Sequence, residues 1–119
     1  PYCQKHGIAV MVRGPLAQGL LSGHYTRDSV FTDAVRASWN VGGTRRAHYE
    51  ADVVKVEALK DRFAPGEPMV TAALRYVISH PSDPVAIPGA KSPAQAAMNA
   101  AAGELTFSAA ELETIRAVL

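Results

Sequence analysis

Lys91, Ser92, Gln95 and Asn99 stand within the stretch VAIPGAKSPAQAAMNA (Val85–Ala100), and their types and spacing suit the capture of an anionic ligand. Ser92 is a good helix N-cap, Pro93 suits the first helical position, and Gln95 follows Ser92 by three residues. That is a capping box, S-x-x-Q, in which two side chains satisfy orphan backbone amides reciprocally. Ahead of it, Val85, Ala86 and Ile87 read as a short buried strand closed by the breaker pair Pro88-Gly89. A strand–Gly–helix turn leaves backbone N–H groups outward at the positive end of a helix dipole, where an anion is favoured. Lys91 adds a mobile cation. Gln95 and Asn99 are four apart, share one helix face and can reach the same ligand. The same residues also read as no more than a capped helix with a solvated lysine.

The elements that must position these residues follow from the pattern of apolar residues. Ile8–Val12 is a continuous apolar run after Gly7, the pattern of a strand covered on both faces. The stretch RGPLAQGLLSGHY then breaks any long element at Gly14-Pro15, Gly19 and Gly23. Residues 26–45 are polar and small, with Gly42-Gly43, and read as an extended loop; a loop of that length is commonly a functional lid or crossing segment. From Ala47 to Phe63, Val53, Val56, Leu59 and Phe63 recur at helical spacing. APGEP ends that helix and Pro68 opens the next. In Pro68–His80 the polar residues Thr71, Arg75 and Ser79 form one narrow strip and nearly all else is apolar, which predicts a deeply packed helix. A last helix has its own capping box, Ser108 to Glu111, with Leu112, Ile115 and Leu119 turned inward.

Composition bounds the class. The chain has 119 residues, 48% hydrophobic and 19% charged, an ordinary globular balance for one domain. A net charge of +1 gives no electrostatic case for a nucleic acid or an anionic membrane as partner. No apolar stretch approaches the roughly 20 residues of a membrane span, and neither a span nor a signal peptide is expected. The single Cys3 cannot form an internal disulfide, which fits a reducing, cytoplasmic setting.

Strand–helix–strand–helix order implies an α/β fold with parallel strands and right-handed crossovers. Only two strands are visible, too little sheet to cover the helices' apolar faces. The chain, which opens at Pro1, is therefore expected to be a piece of a larger α/β protein that neither folds to a stable monomer alone nor carries out catalysis.

GIAVMVRGPLAQGLLSGHY followed by VAIPGAKSPAQAAMNAAAGELTFSAAELETI resembles the C-terminal part of an aldo-keto reductase. Pro15, Leu16, Gly19, Leu20, Leu21 and Gly23 match the family's PL-x-x-G-L-L-x-G loop after its seventh strand. Ile87, Pro88 and Gly89 match the IPG that ends the eighth. Gln95 and Asn99 match a helix with those residues on one face, and Leu105, Thr106 and Glu111 match the LT and acidic helix that follow. TDAVRASWN (Thr32–Asn40) is similar to a stretch in one branch of the family.

The resemblance implies a (β/α)8 TIM barrel, of which residues 1–119 would be the C-terminal portion with strands seven and eight. It implies an NADP(H)-dependent oxidoreductase acting on a small carbonyl or alcohol substrate. In that reading Lys91 and Ser92 meet the cofactor's 2′-phosphate, beside Gly89, while Gln95 and Asn99 approach the adenine. Pro15, Leu16, Gly19 and Leu21 belong to the loop that crosses the pyrophosphate. Phosphate sites late in barrels do use the loops after strands seven and eight with a helix N-terminus. Arg13-Gly14 departs from the Tyr-Ser of many relatives, removing an aromatic that can stack on nicotinamide; Arg13 either contacts phosphate or points to solvent. A lysine at 91 favours NADP over NAD, though it discriminates less than a bidentate arginine.

The family's proton-donor tyrosine and its lysine, aspartate and histidine partners have no matching motif here. Tyr2, Tyr25, Tyr49 and Tyr76 lack the flanking pattern, so no catalytic residue is assigned. The alternative is a non-catalytic nucleotide-binding or scaffold remnant of the same fold. Cys3-x-x-His6 reads as a helix end rather than half a metal site, since His24, His48 and His80 are scattered. Arg45-Arg46 reads as surface or as a brace for the long loop, and Ser22 and Ser108 lack a nucleophile-elbow context.

Overall fold

Both apolar runs form strands, and they pair with one another. The computed structural model describes residues 1–119. Met11–Arg13 (β1) and Val85–Ile87 (β2) lie parallel, with Met11 beside Val85, Val12 beside Ala86 and Arg13 beside Ile87. Parallel neighbours need a long crossover. Here it contains an irregular segment, helix α2 (Arg46–Lys60) and helix α3 (Met69–Ile78). A short helix α1 (Tyr2–Lys5) precedes β1, and α4 (Pro93–Ala101) and α5 (Ala109–Arg116) follow β2. The result is α/β, with four longer pieces of helix around a small parallel sheet.

The strands differ from expectation in length and burial. β1 begins at Met11, three residues beyond the start of the apolar run at Ile8. Neither strand is buried: Met11 is 69% and Val85 59% exposed. The reason is the pleat and the size of the sheet. Alternate residues point to opposite faces; Val12 and Ala86 are half-covered, but nothing is layered over the face of Met11, Val85 and Ile87. No helix is long and apolar enough to cross a membrane.

The core lies away from the sheet. Tyr49, Val53, Val56 and Leu59 of α2 meet Met69 and Ala72 of α3, and Phe107, Leu112 and Ile115 close it from the C-terminal end. Phe31 and Trp39 of the irregular segment complete it. Residues 26–45 are thus not a free lid but a packed segment with a short 3-10 turn at Ala37–Trp39. Trp39 stacks on Tyr49 at 5.2 Å, and Phe31 meets both rings edge-on, at 5.4 and 5.5 Å. Its backbone is tied down by side chains: Asn40 exchanges two 2.8 Å bonds with the main chain of Phe31, and the Tyr49 hydroxyl donates to the Thr26 carbonyl at 2.6 Å. Arg46 donates to the carbonyls of Arg27 and Trp39 and pairs with Glu50. It is the brace that Arg45-Arg46 suggests.

Helix α3 is as packed as its composition predicts, with no residue from Met69 to Ser79 exposed. Its polar strip is half-buried, and Arg75 and Ser79 use it to dock the chain before α5. Arg75 pairs with Glu67 at 2.5 Å, lies 4.0 Å over the Phe107 ring and donates to the Thr106 carbonyl. Ser79 Oγ donates to the Arg75 carbonyl and accepts from the Phe107 amide at 2.7 Å. α2 ends at Lys60, before Phe63, which still stacks on Phe107 at 5.9 Å. The Ser108–Glu111 capping box forms as read, and Leu112 and Ile115 are buried. Leu119, expected inward, lies past the helix end and is 56% exposed.

Two outcomes follow. Glu67→Gln keeps the shape of the Arg75 partner but removes its charge, leaving a mostly covered guanidinium uncompensated. Denaturant unfolding should show a loss of about 1–3 kcal/mol; an unchanged midpoint would show that the pair contributes nothing. Bonds from Ser108 hold the Glu111 carboxyl below its ordinary value. A depressed carboxyl contributes stability above its unfolded pKa and loses it as pH falls through the folded one. Glu111→Gln should therefore melt below the wild type at neutral pH, and the gap should close once the pH drops beneath the usual carboxylate range.

Candidate functional site

Because β1 and β2 are parallel and in register, the loops after Arg13 and after Ile87 leave the sheet at one end. Between them lies a cleft of about 680 Å³. Pro15, Leu16 and Gly19 line it from the first loop, and Gly89, Lys91, Gln95 and Asn99 from the second. Leu21 and Ser92 stand next to it without lining it. Leu21 is half-buried against the core, and Ser92 is exposed at the head of α4. Arg13 is exposed and also outside the lining.

The first loop is held in an uncommon conformation. Ala17, Gln18 and Gly19 take φ of 47°, 58° and 91° in succession. Left-handed backbone costs a non-glycine residue roughly 1–2 kcal/mol, so Ala17 and Gln18 must be held there by their surroundings. The Leu16 carbonyl accepts from both the Gly19 amide at 2.9 Å and the Leu21 amide at 3.2 Å, which closes the crest. Gly19 is required twice over: by its φ, and because a Cβ would stand 3.0 Å from the Tyr25 hydroxyl.

The second loop differs from a simple capping box. Ser92 Oγ accepts from the Gln95 amide at 3.2 Å, as predicted. Gln95 Oε1, however, accepts from the Lys91 amide at 2.7 Å instead of the Ser92 amide. The Lys91 N–H is therefore committed within the turn and is not one of the outward amides expected for an anion. Asn99 Nδ2 donates to the Gly89 carbonyl at 3.3 Å, so both amide side chains fold back on the turn from one face of α4. Each keeps a free half: the NH2 of Gln95 and Oδ1 of Asn99 have no protein partner. The Lys91 ammonium joins none of the ion pairs. α4 buries none of its residues, so this wall presents its chemistry to the cleft and to solvent.

Tyr25 and Arg36 also line the cleft, and sequence reasoning did not select them as site residues. The only signal was the place of Tyr25 at the end of RGPLAQGLLSGHY and of Arg36 within Thr32–Asn40. Arg36 bonds Asp33 through Nε at 2.9 Å and Nη2 at 2.8 Å, donates to the Tyr25 hydroxyl, and lies over the Tyr25 and Phe31 rings at 5.4 and 5.5 Å. The Arg36 bond holds the Asp33 carboxyl below its ordinary value, and Asp33 raises Arg36 in turn.

Ser22 and His24 also line the cleft, while the tyrosines other than Tyr25, and the Cys3–His6 pair, lie elsewhere. Tyr49 is in the core, Tyr76 is packed against it, and Tyr2 stacks on His6 at 4.4 Å. Cys3 is in α1 and His6 caps that helix. A cleft with a free ammonium, free amide groups and an apolar floor can hold an elongated ligand with an anionic end and a flat polar ring.

Comparison with curated proteins returned no match. A profile of the Aldo/keto reductase family matches residues 1–119. With that match along its whole length, and two strand–loop–helix units converging on one cleft, the chain belongs to the aldo/keto reductase family, a family of oxidoreductases.

Proposed function

We propose that residues 1–119 are the C-terminal, cofactor-binding part of a (β/α)8 barrel reductase that uses NADP(H) on a small carbonyl or alcohol substrate. The observation that carries this reading is the cleft itself, where the Pro15–Gly19 loop and the Gly89–Asn99 turn and helix face one ligand space. The donors and acceptors left free fit the adenosine end of such a cofactor. An adenine edge offers both an amino donor and ring-nitrogen acceptors. Asn99 Oδ1 can accept and the Gln95 NH2 can donate, since their other halves are taken by the turn. Lys91 supplies a point charge for the 2′-phosphate, and the Ser92 hydroxyl, which accepts from Gln95, keeps its own proton to donate. Gly19 removes a side chain where the loop passes closest to the pyrophosphate.

When bound, the nicotinamide supplies or accepts the hydride exchanged with the substrate carbon. The residues of this chain bind and orient; none is proposed as the proton donor. General acid catalysis needs a group within hydrogen-bond reach of the substrate oxygen. Tyr49 already donates to Thr26, and Tyr76 is packed against the core. In this reading the chain alone reduces no carbonyl.

In the complete protein, Lys91→Ala should weaken NADPH binding by roughly 10- to 150-fold, on the order of 1.5–3 kcal/mol for one charge-assisted contact, and change NADH binding little. Fluorescence titration with both cofactors decides it; equal losses would show that Lys91 does not read the 2′-phosphate. Gly19→Val places a branched side chain at φ 91° against Tyr25. It should raise the dissociation constant for both cofactors while the far-ultraviolet spectrum is kept. Unchanged affinity would make the loop structural only.

A further inference from the structure

The first loop poses a question that its own hydrogen bonds leave open: what keeps Ala17, Gln18 and Gly19 in three consecutive left-handed conformations? Each is more comfortable elsewhere if unsupported, Gly19 excepted. The neighbour at hand is Tyr25, whose hydroxyl fills the space a side chain on Gly19 would enter, 3.0 Å from where a Cβ would stand. The Tyr25 ring is fixed edge-on to Phe31 at 5.0 Å and Trp39 at 6.5 Å, so its hydroxyl is carried by the core. Arg36 donates to that hydroxyl as well. Asp33 holds Arg36 through two guanidinium nitrogens, and Asp33 also accepts the Arg36 backbone amide at 3.1 Å. A continuous line of contacts therefore runs from the crossing segment to the crest of the loop: Asp33, Arg36, Tyr25, Gly19.

Core packing alone does not call for this line. The Tyr25 ring would be covered equally well as phenylalanine, and Arg36 and Asp33 are partly exposed at the cleft side. A planar guanidinium held at two nitrogens by one carboxylate oxygen and lying over two rings has little freedom left. It is suited to fix one hydroxyl in one place.

We propose that Asp33, Arg36 and Tyr25 form a positioning strut that holds the Gly19 crest in its ligand-binding shape, so that cofactor affinity depends on the Tyr25 hydroxyl through the shape of that crest. The affinity half of this rests on the cofactor reading above; the strut itself does not. Tyr25→Phe removes the hydroxyl and keeps the ring. Asp33→Asn, at a partly exposed position, loosens Arg36 without touching the core. Both should speed hydrogen exchange at the Gly19 and Leu21 amides by about tenfold or more while exchange in α2 stays as in the wild type, the pattern of a local opening. Both should also raise the dissociation constants of NADPH and NADH by the same factor, about tenfold, as the loss of one charge-assisted bond would give. Asp33→Glu, which restores a carboxylate to Arg36, should recover most of both effects. Unchanged exchange at Gly19 and Leu21 in Tyr25→Phe and Asp33→Asn would overturn the strut whatever the cofactor result. Faster exchange with unaltered dissociation constants would overturn its role in binding. A wild-type protein that binds neither cofactor would sink the cofactor reading and the affinity half with it, and the exchange measurement would still judge the strut.

Discussion

The face-to-face contact of Trp39 with Tyr49, closed edge-on by Phe31, is the interaction on which the rest of the structure depends. Two short strands offer little apolar surface, and the face of Met11, Val85 and Ile87 lacks a covering layer. The helices must therefore find a core among themselves and the segments that join them. The three rings provide it at the point where α2 meets the irregular segment, and T-shaped and offset pairs of this kind contribute beyond their buried area. A long irregular segment also brings backbone groups that need partners once covered. Asn40, Tyr49 and Arg46 supply those partners at the same place. The aromatic cluster and the satisfied backbone are one construction.

The cleft depends on that construction. Tyr25 and Arg36 lean on Phe31, and through them the crossing segment reaches the loop after β1. On the other side, α4 has no buried residue of its own and reaches the rest through Ala102 and its approach to α3. One wall of the cleft is thus anchored in the core and the other is supported mainly by its own turn. Gln95 and Asn99, folded back on Lys91 and Gly89, give that second wall the definition that burial does not.

Legibility in the sequence followed the range of the interaction responsible. Ser92, Pro93, Ser108 and Glu111 act on neighbours within one turn, and both helix starts could be read directly. Val53, Val56 and Leu59 repeat at helical spacing, and α2 could be read too. The seventh and eighth strand motifs, taken together, identified the family. Three things were out of reach. The redirection of Gln95 to the Lys91 amide turns on one residue of backbone geometry that S-x-x-Q does not encode. The burial of Phe31 and Trp39 rests on partners in α2, so a stretch of polar and small residues read only as an extended loop, a lid or a crossing segment. Tyr25 and Arg36 became site residues only because a folded segment brings them beside Gly19; nothing in their local spacing announces it. The exposure of Met11 and Val85 is the converse case, since an apolar run predicts a cover without showing which element provides it.

The place of the site was decided before any of its residues was. Arg13 pairs with Ile87, so Gly14-Pro15 and Pro88-Gly89 leave the sheet side by side although the whole crossover separates them in sequence. Parallel strands send their following loops to one end, which is where ligand sites of α/β folds gather. Had the strands been antiparallel, the two loops would emerge at opposite ends and Lys91 could not face Gly19. Register matters as much as direction. A slip of one residue would turn Val12 or Ala86 away from the helices and offset the two loops by one strand residue, roughly 3.3 Å. The three-residue pairing is too short to resist such a slip by its own hydrogen bonds. What holds it is the crossover, with α3 packed on β2 and the aromatic cluster fixing the segment that follows β1. The geometry of the cleft is thus set at the core and delivered to the loops through a register that the sheet alone could not keep.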